Sequence, residues 1–216
     1  MSKFGSYAKE LDALCHDYLM ERAAATAEFV SATEFHSRNK RPGGVGIWSP
    51  TAEQVERAAQ AEVGLVKAME RKKRAEGSML DETKGKIKAL RERLENALAT
   101  HFLPNPAAVD GNLMAIVDSG VMSADEYARL FEQMVKNDNP TMARLIGAAA
   151  REAAENEKDP VKRSRLAAVA EAGKQCSADA YLKKFDTLVE MFTVCSRSGS
   201  MASSWDTYAG KHIDNF

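Results

Sequence analysis

Apolar residues recur at three- and four-residue spacing through most of this chain, and the longest run of that kind without a proline is Thr51 to Leu103. Val55, Ala59, Val63 and Val66 form one part of its stripe, and Leu80, Ile87, Leu90, Leu94 and Leu98 form another. Such spacing predicts a helix with one apolar side and one charged side. Between Glu70 and Gly77 the stripe fails, because Ala75 is the one apolar side chain beside the basic run Arg71, Lys72, Lys73 and Arg74. A single helix over the whole stretch would be about 75 Å long, against a diameter of roughly 45 Å for a compact chain of this size. Gly77 can end one helix in the left-handed conformation, and Ser78 with Asp81 can cap the next. These signals favour an antiparallel hairpin, 51–76 against 79–102, with a basic tip. A bent continuous arm is the alternative.

Ahead of this stretch, Tyr7, Leu11, Leu14, Tyr18, Ala25, Phe29 and Ala32 predict a long amphipathic helix over 6–37. Arg38, Lys40 and Arg41 suit its C-terminus, where cations complement the backbone dipole. Pro42, Gly43, Gly44 and Gly46 stop it, Ile47 and Trp48 are expected to pin the loop to the core, and Ser49 or Thr51 caps the next helix around Pro50. Behind it, Phe102 to Pro106 cannot continue a helix, since the residue before each proline is pushed toward extended backbone.

Shorter helices follow, with caps at Asp110, at Ser123 with Glu126, at Asn139 before Pro140, at Asp159 before Pro160, and at Ser177. Their expected inward residues include Tyr127, Leu130, Phe131, Met134, Val135, Met142, Leu145, Ile146, Leu166, Val169, Phe185, Leu188 and Phe192. Every proline falls at an expected boundary, and no window alternates with the period of a strand. The expected fold is all-α: a long N-terminal helix and a helical hairpin over 1–103, a bundle of short helices over 107–199, and an aromatic tail over 200–216. In that tail Trp205, Tyr208, Ile213 and Phe216 give a reason to dock, on the chain's own core or on a neighbour.

Charge narrows the picture further. Thirty basic and 31 acidic residues leave a net charge of -1 in 216 residues, so any nucleic-acid or membrane binding must be local. No run approaches the roughly 20 apolar residues that span a bilayer, the start carries no secretory pattern, and three cysteines at wide spacing fit reduced thiols. The expectation is a cytoplasmic protein that does not engage a membrane. Charge is concentrated between Lys67 and Arg93, where Lys67, Arg71, Lys72, Lys73, Arg74, Lys84, Lys86, Lys88, Arg91 and Arg93 face only five acidic residues. That patch can take phosphate in a salt-sensitive way. It lacks the interleaved aromatic residues that stack on bases, and a solvated helix face is the reading it favours.

Catalytic and metal signatures are missing. The four histidines never stand four residues apart, the cysteines lack zinc spacing, and Cys15 and His16 point about 100° from one another on a helix. Serines at 196–204 have no local base or orienting group, and Gly43, Gly44 and Gly46 lack the lysine and serine of a phosphate loop. The chain is therefore expected to be non-enzymatic, without a cofactor or metal.

Asn139 to Ala149 (NPTMARLIGAA) and Val194 to Ile213 (VCSRSGSMASSWDTYAGKHI) resemble the short-helix proteins encoded by tailed phages and other mobile elements. The resemblance covers about residues 110–216 and transfers no functional residue. It implies a protein that acts by binding, as a virion or head-assembly component in the host cytoplasm or the virion. The alternative it implies is an inhibitor or binder of a host nucleic-acid-handling defence complex, engaged through the basic tip. Protein partners or self-association are expected first, and nucleic acid second.

Overall fold

A computed structural model describes residues 3–40, 50–198, 202–213 and 216. The expected roles of Arg41, Pro42, the three loop glycines, Ile47, Trp48 and Ser49 lie outside the described residues. What is described is almost wholly helical and contains no strand: α1 Gly5–Asn39, α2 Ala52–Glu76, α3 Ser78–His101, α4 Gly111–Asp118, α5 Ala124–Lys136, α6 Pro140–Asn156, α7 Pro160–Gln175, α8 Ala178–Ser198 and α9 Ala202–Ile213. The all-α reading and the long N-terminal helix stand.

Polar side chains start these helices where the sequence places them. Thr51 and Gln54 close a reciprocal capping box at α2, and Ser123 and Glu126 close another at α5. Asp110 accepts from the amides of Asn112 (3.0 Å) and Leu113 (3.1 Å), Asn139 from Met142 (3.0 Å), and Asp159 from Val161 (2.8 Å). Each bond satisfies an amide that the first helical turn leaves without a carbonyl partner. Pro140 and Pro160 occupy the first positions of α6 and α7, where a missing N–H costs nothing.

The chain forms two compact units, Met1–Leu90 with Thr187–Phe216, and Arg91–Asp186. This division differs from the expected one. Pro104 to Pro106 ends α3 but falls inside the second unit, because three hydrogen bonds hold it to α6 and to the turn before it. Arg144 donates to the carbonyl of Phe102 (3.0 Å), the Asn105 amide donates to Thr141 Oγ1 (3.2 Å), and Asn139 Nδ2 donates to the carbonyl of Ala108 (2.8 Å).

In the first unit α2 packs along α1, and α9 packs on α1 as well. The α1–α2 pair is antiparallel: Lys72 lies over the ring of Phe29, while Glu76, one turn further along α2, is near enough to Tyr18, further back on α1, for its charge to act on that phenol. The expected tail is thus a helix docked on its own chain. Trp205 is completely buried, donates from Nε1 to Asp12 Oδ1 at 2.8 Å, and meets Phe192 edge-on at 6.2 Å between centroids. Phe216 is buried too, Ile213 is half-buried and Tyr208 is exposed.

Tyr18 sits edge-on to Phe192 at 5.5 Å, and its buried hydroxyl has no hydrogen-bond partner among the described residues. A buried polar group left unpaired costs about 1–3 kcal/mol. Tyr18→Phe keeps the ring and removes that group, so it is expected to raise the midpoint of denaturant unfolding. An unchanged or lower midpoint would show that the hydroxyl is satisfied in solution.

The second unit is built on Val117, Tyr127, Met134, Met142, Ile146, Ala150, Leu166 and Val169. Tyr127 donates its hydroxyl to the carbonyl of Val117 at 3.1 Å. Val135 and Leu145, expected inward, are exposed, since each stands one residue from a buried position, Met134 and Ile146 respectively, that takes the inward side. Gly147 of α6 and Gly173 of α7 meet backbone to backbone: a Cβ on either would stand 2.7 Å from the other's Cα.

Candidate interaction surface

The surface of α2 begins with which side α1 covers. Ala61, Ala68 and Ala75, spaced by seven, are buried, and with Lys72 they form the side turned to α1. Small side chains let two helices approach closely, so alanine rather than valine takes the seam. The expected stripe lies on the other side. At about 100° per residue, Ala59, Val63 and Val66 stand roughly opposite Ala61 and Ala68, and Val63 and Val66 are 55% and 45% exposed.

This geometry corrects the expected hairpin of α2 with α3. Gly77 is the one residue between the two helices. Its φ of -110° is not left-handed, and Ser78 does not cap α3 but returns its hydroxyl to the carbonyl of Arg74 at 3.4 Å. Buried and half-buried positions continue at three- and four-residue spacing through the break, from Lys72 and Ala75 through Met79, Thr83 and Ile87 to Leu90. Folding α2 back on α3 would give α2 a second covered side, and that side is bare. Within the first unit, α2 and the start of α3 as far as Leu90 run on through Gly77 without reversing.

The basic tip is corrected with it. Arg71 points at α1, donating from Nη2 to Glu21 (2.6 Å) and from Nη1 to Glu28 (2.5 Å), and both bonds favour its protonated form. Lys72 pairs with Glu76 at 3.8 Å and lies 4.8 Å from the Phe29 ring centroid. Further along, Arg91 takes both oxygens of Asp186, at 2.7 and 3.0 Å, and Glu95 as well. Arg93 also has a partner. Lys67, Lys73, Arg74, Lys84, Lys86 and Lys88 remain, exposed and without an ion pair among the described residues. Nothing local in the sequence marks Glu21 and Glu28 as the partners of Arg71; only the α1–α2 register brings them together.

Cys15 is buried, and its burial, with Asp12 and Cys195 nearby, pushes the thiol far above its ordinary range. Burial also raises Cys176 and Cys195. His16 turns to Asp206 at 2.9 Å, away from Cys15, and His101 lies 3.4 Å from Asp138. The Glu126 carboxylate accepts from the Ser123 amide at 2.7 Å and from the Ser123 hydroxyl at 2.8 Å, and these bonds, the amide's first, lower the carboxyl's affinity for a proton. A cleft of about 650 Å³ in the second unit has Val121, Met122 and Tyr127 in its wall and Asp118, Glu152 and Lys162 among its charged residues. It can hold a small molecule or a side chain, but offers neither a histidine nor a cysteine to act on it. Among the described residues no three histidine, cysteine or acidic side chains gather as metal ligands, and no helix is long and apolar enough to cross a membrane.

Of the docking residues expected in the tail, Trp205 and Phe216 are consumed inside the first unit, and Tyr208 remains on its surface. Comparison with protein-family models, with curated proteins and with solved structures finds nothing that matches this chain.

Proposed function

We propose that this protein acts by binding protein, without chemistry of its own, and that the uncovered face of α2 is where it binds. The single observation that carries this is the placement of Ala59, Val63 and Val66 opposite the α1 seam, on a helix of 25 residues, about 37 Å long. A helix with one apolar stripe buries it in its own core. A second stripe on the opposite side has no use there, and apolar surface held in water is a feature of interfaces. The resemblance of residues 110–216 to phage and mobile-element proteins gives this binding its proposed setting, a virion or head-assembly component.

A second reading, a binder of nucleic acid or of a nucleic-acid-handling complex, rests on the six exposed cations that have no ion pair among the described residues. Arg71 and Lys72, the centre of that reading as a tip, are occupied by α1 and α2 acids.

The test compares the chain with a Val63→Glu, Val66→Glu variant by lysine cross-linking and mass spectrometry. Both valines are exposed, so the variant is expected to keep its helical circular dichroism. Intermolecular cross-links from Lys67, beside the stripe, are expected in the unaltered chain and should be lost in the variant. Their persistence in the variant would overturn the reading. Salt-sensitive binding to duplex DNA that the variant retains in full would favour the second one.

A further inference from the structure

We infer that the partner seated on this face of α2 is a second copy of the same chain, lying antiparallel to the first. The inference rests on the binding role proposed above, and it comes from how charge is distributed around the stripe. Glu56 lies two turns before Val63 and within about 20° of it around the helix, and Arg74 lies three turns after Val63, within about 20° again. The exposed stripe therefore runs from Glu56, through Ala59, Val63 and Val66, to a group made of Glu70, Lys73 and Arg74. One end is negative and the other has a surplus of one positive charge, with the apolar residues between.

A two-fold axis passing between Gly64 and Leu65 makes this stripe complementary to itself. It sets Val63 of each copy against Val66 of the other, and it brings Glu56 of each copy level with Lys73 and within reach of Arg74 of the other. A parallel pair would set like charges against each other at both ends, which is unfavourable. Two-fold pairing uses one patch twice, so each favourable contact occurs twice.

The remaining charges of α2 support this assignment. Arg57 is paired with Glu53 at 2.5 Å, Arg71 with Glu21 and Glu28, and Lys72 with Glu76, all within the chain. Lys73 and Arg74 have no ion pair among the described residues. At the other end, Glu56 has no ion pair among the described residues and accepts from the neutral amide of Gln60 at 3.3 Å. Glu62, Lys67 and Glu70 also have no ion pair among the described residues; Glu70 lies on the stripe beside Lys73, and Lys73 and Arg74 outnumber it at the end where the two-fold brings Glu56 of the other copy.

The experiment is light scattering on the full chain across a concentration series, together with four variants. The mass is expected to rise with concentration from that of one chain, 23.6 kDa, toward twice that value. Val63→Glu with Val66→Glu should hold it at one chain. Glu56→Lys alone and Arg74→Glu alone should each weaken the dimer roughly tenfold, because the axis repeats the clash. Glu56→Lys combined with Arg74→Glu exchanges the two signs and should restore most of the affinity. Added salt should weaken the unaltered dimer. A single-chain mass at every concentration, or charge variants that add without restoration, would overturn the second-copy assignment. If the mass stays at one chain while the valine variant loses cross-links to some other protein, the binding role survives and this inference falls. A dimer indifferent to the valine variant would sink both.

Discussion

Trp205→Ala is expected to destabilise the first unit by about 3–5 kcal/mol, the usual cost of deleting a buried large aromatic side chain, and to lower its melting temperature by roughly 10 °C. Trp205 is fully buried, so its loss forfeits the whole ring's burial and opens a space between α1, α8 and α9. It also leaves Asp12 without the indole N–H that now lies 2.8 Å from it. Trp205→Phe separates the two effects. It retains most of the packing and loses the hydrogen bond, and should cost less than half as much. Thermal unfolding followed by circular dichroism decides it: a shift of only a degree or two for Trp205→Ala would mean that α9 is not docked in solution.

Gly147→Ala is expected to destabilise the second unit, although alanine is the better helix former by about 1 kcal/mol. The added Cβ would lie 2.7 Å from the Cα of Gly173, and backbone cannot rotate out of the way as a side chain does. Helices α6 and α7 must part, at the cost of contacts around Ile146, Ala150, Val169 and Ala170, and overpacking of this kind costs about 1–3 kcal/mol or more. Gly173→Ala meets the mirror-image obstacle and should behave alike. Combining the two should cost less than their sum, because the first has already moved the helices apart. Gly64→Ala supplies the contrast: nothing lies within 4 Å of the Cβ it would add, so the same change in mid-helix should stabilise α2 by about 0.5–1 kcal/mol. Urea unfolding of the three variants measures all three signs, and a stabilising Gly147→Ala would show that the close crossing is not kept in solution.

Local instructions were the legible part of this fold. Caps at Thr51, Asp110, Ser123, Asn139 and Asp159 are bonds between residues two or three apart, and a sequence states them directly. Prolines at 140 and 160 act on their own backbone and were equally readable. The choice of buried face on α2 was not. Valine outranks alanine in hydrophobicity, and periodicity alone therefore assigns Val63 and Val66 to the core. The seam with α1 is decided by how close two helices can come, and that favours Ala61, Ala68 and Ala75. The seven-residue repeat of those alanines was the available signal. Gly77 misled for a related reason: it does break the helix, but whether a break becomes a reversal depends on what else covers each arm. The charge patch depended on partners 43 and 50 residues away, Glu28 and Glu21, which no local pattern could supply.

Cys15 gives the first unit an internal clock. Its thiol is wholly enclosed and held in the protonated form by burial, so a reagent that attacks thiolates cannot reach or react with it while α1 keeps its neighbours. Modification of Cys15 then records each occasion on which that helix lets go, and its rate measures how often a single molecule opens around α1, at temperatures where bulk unfolding is invisible.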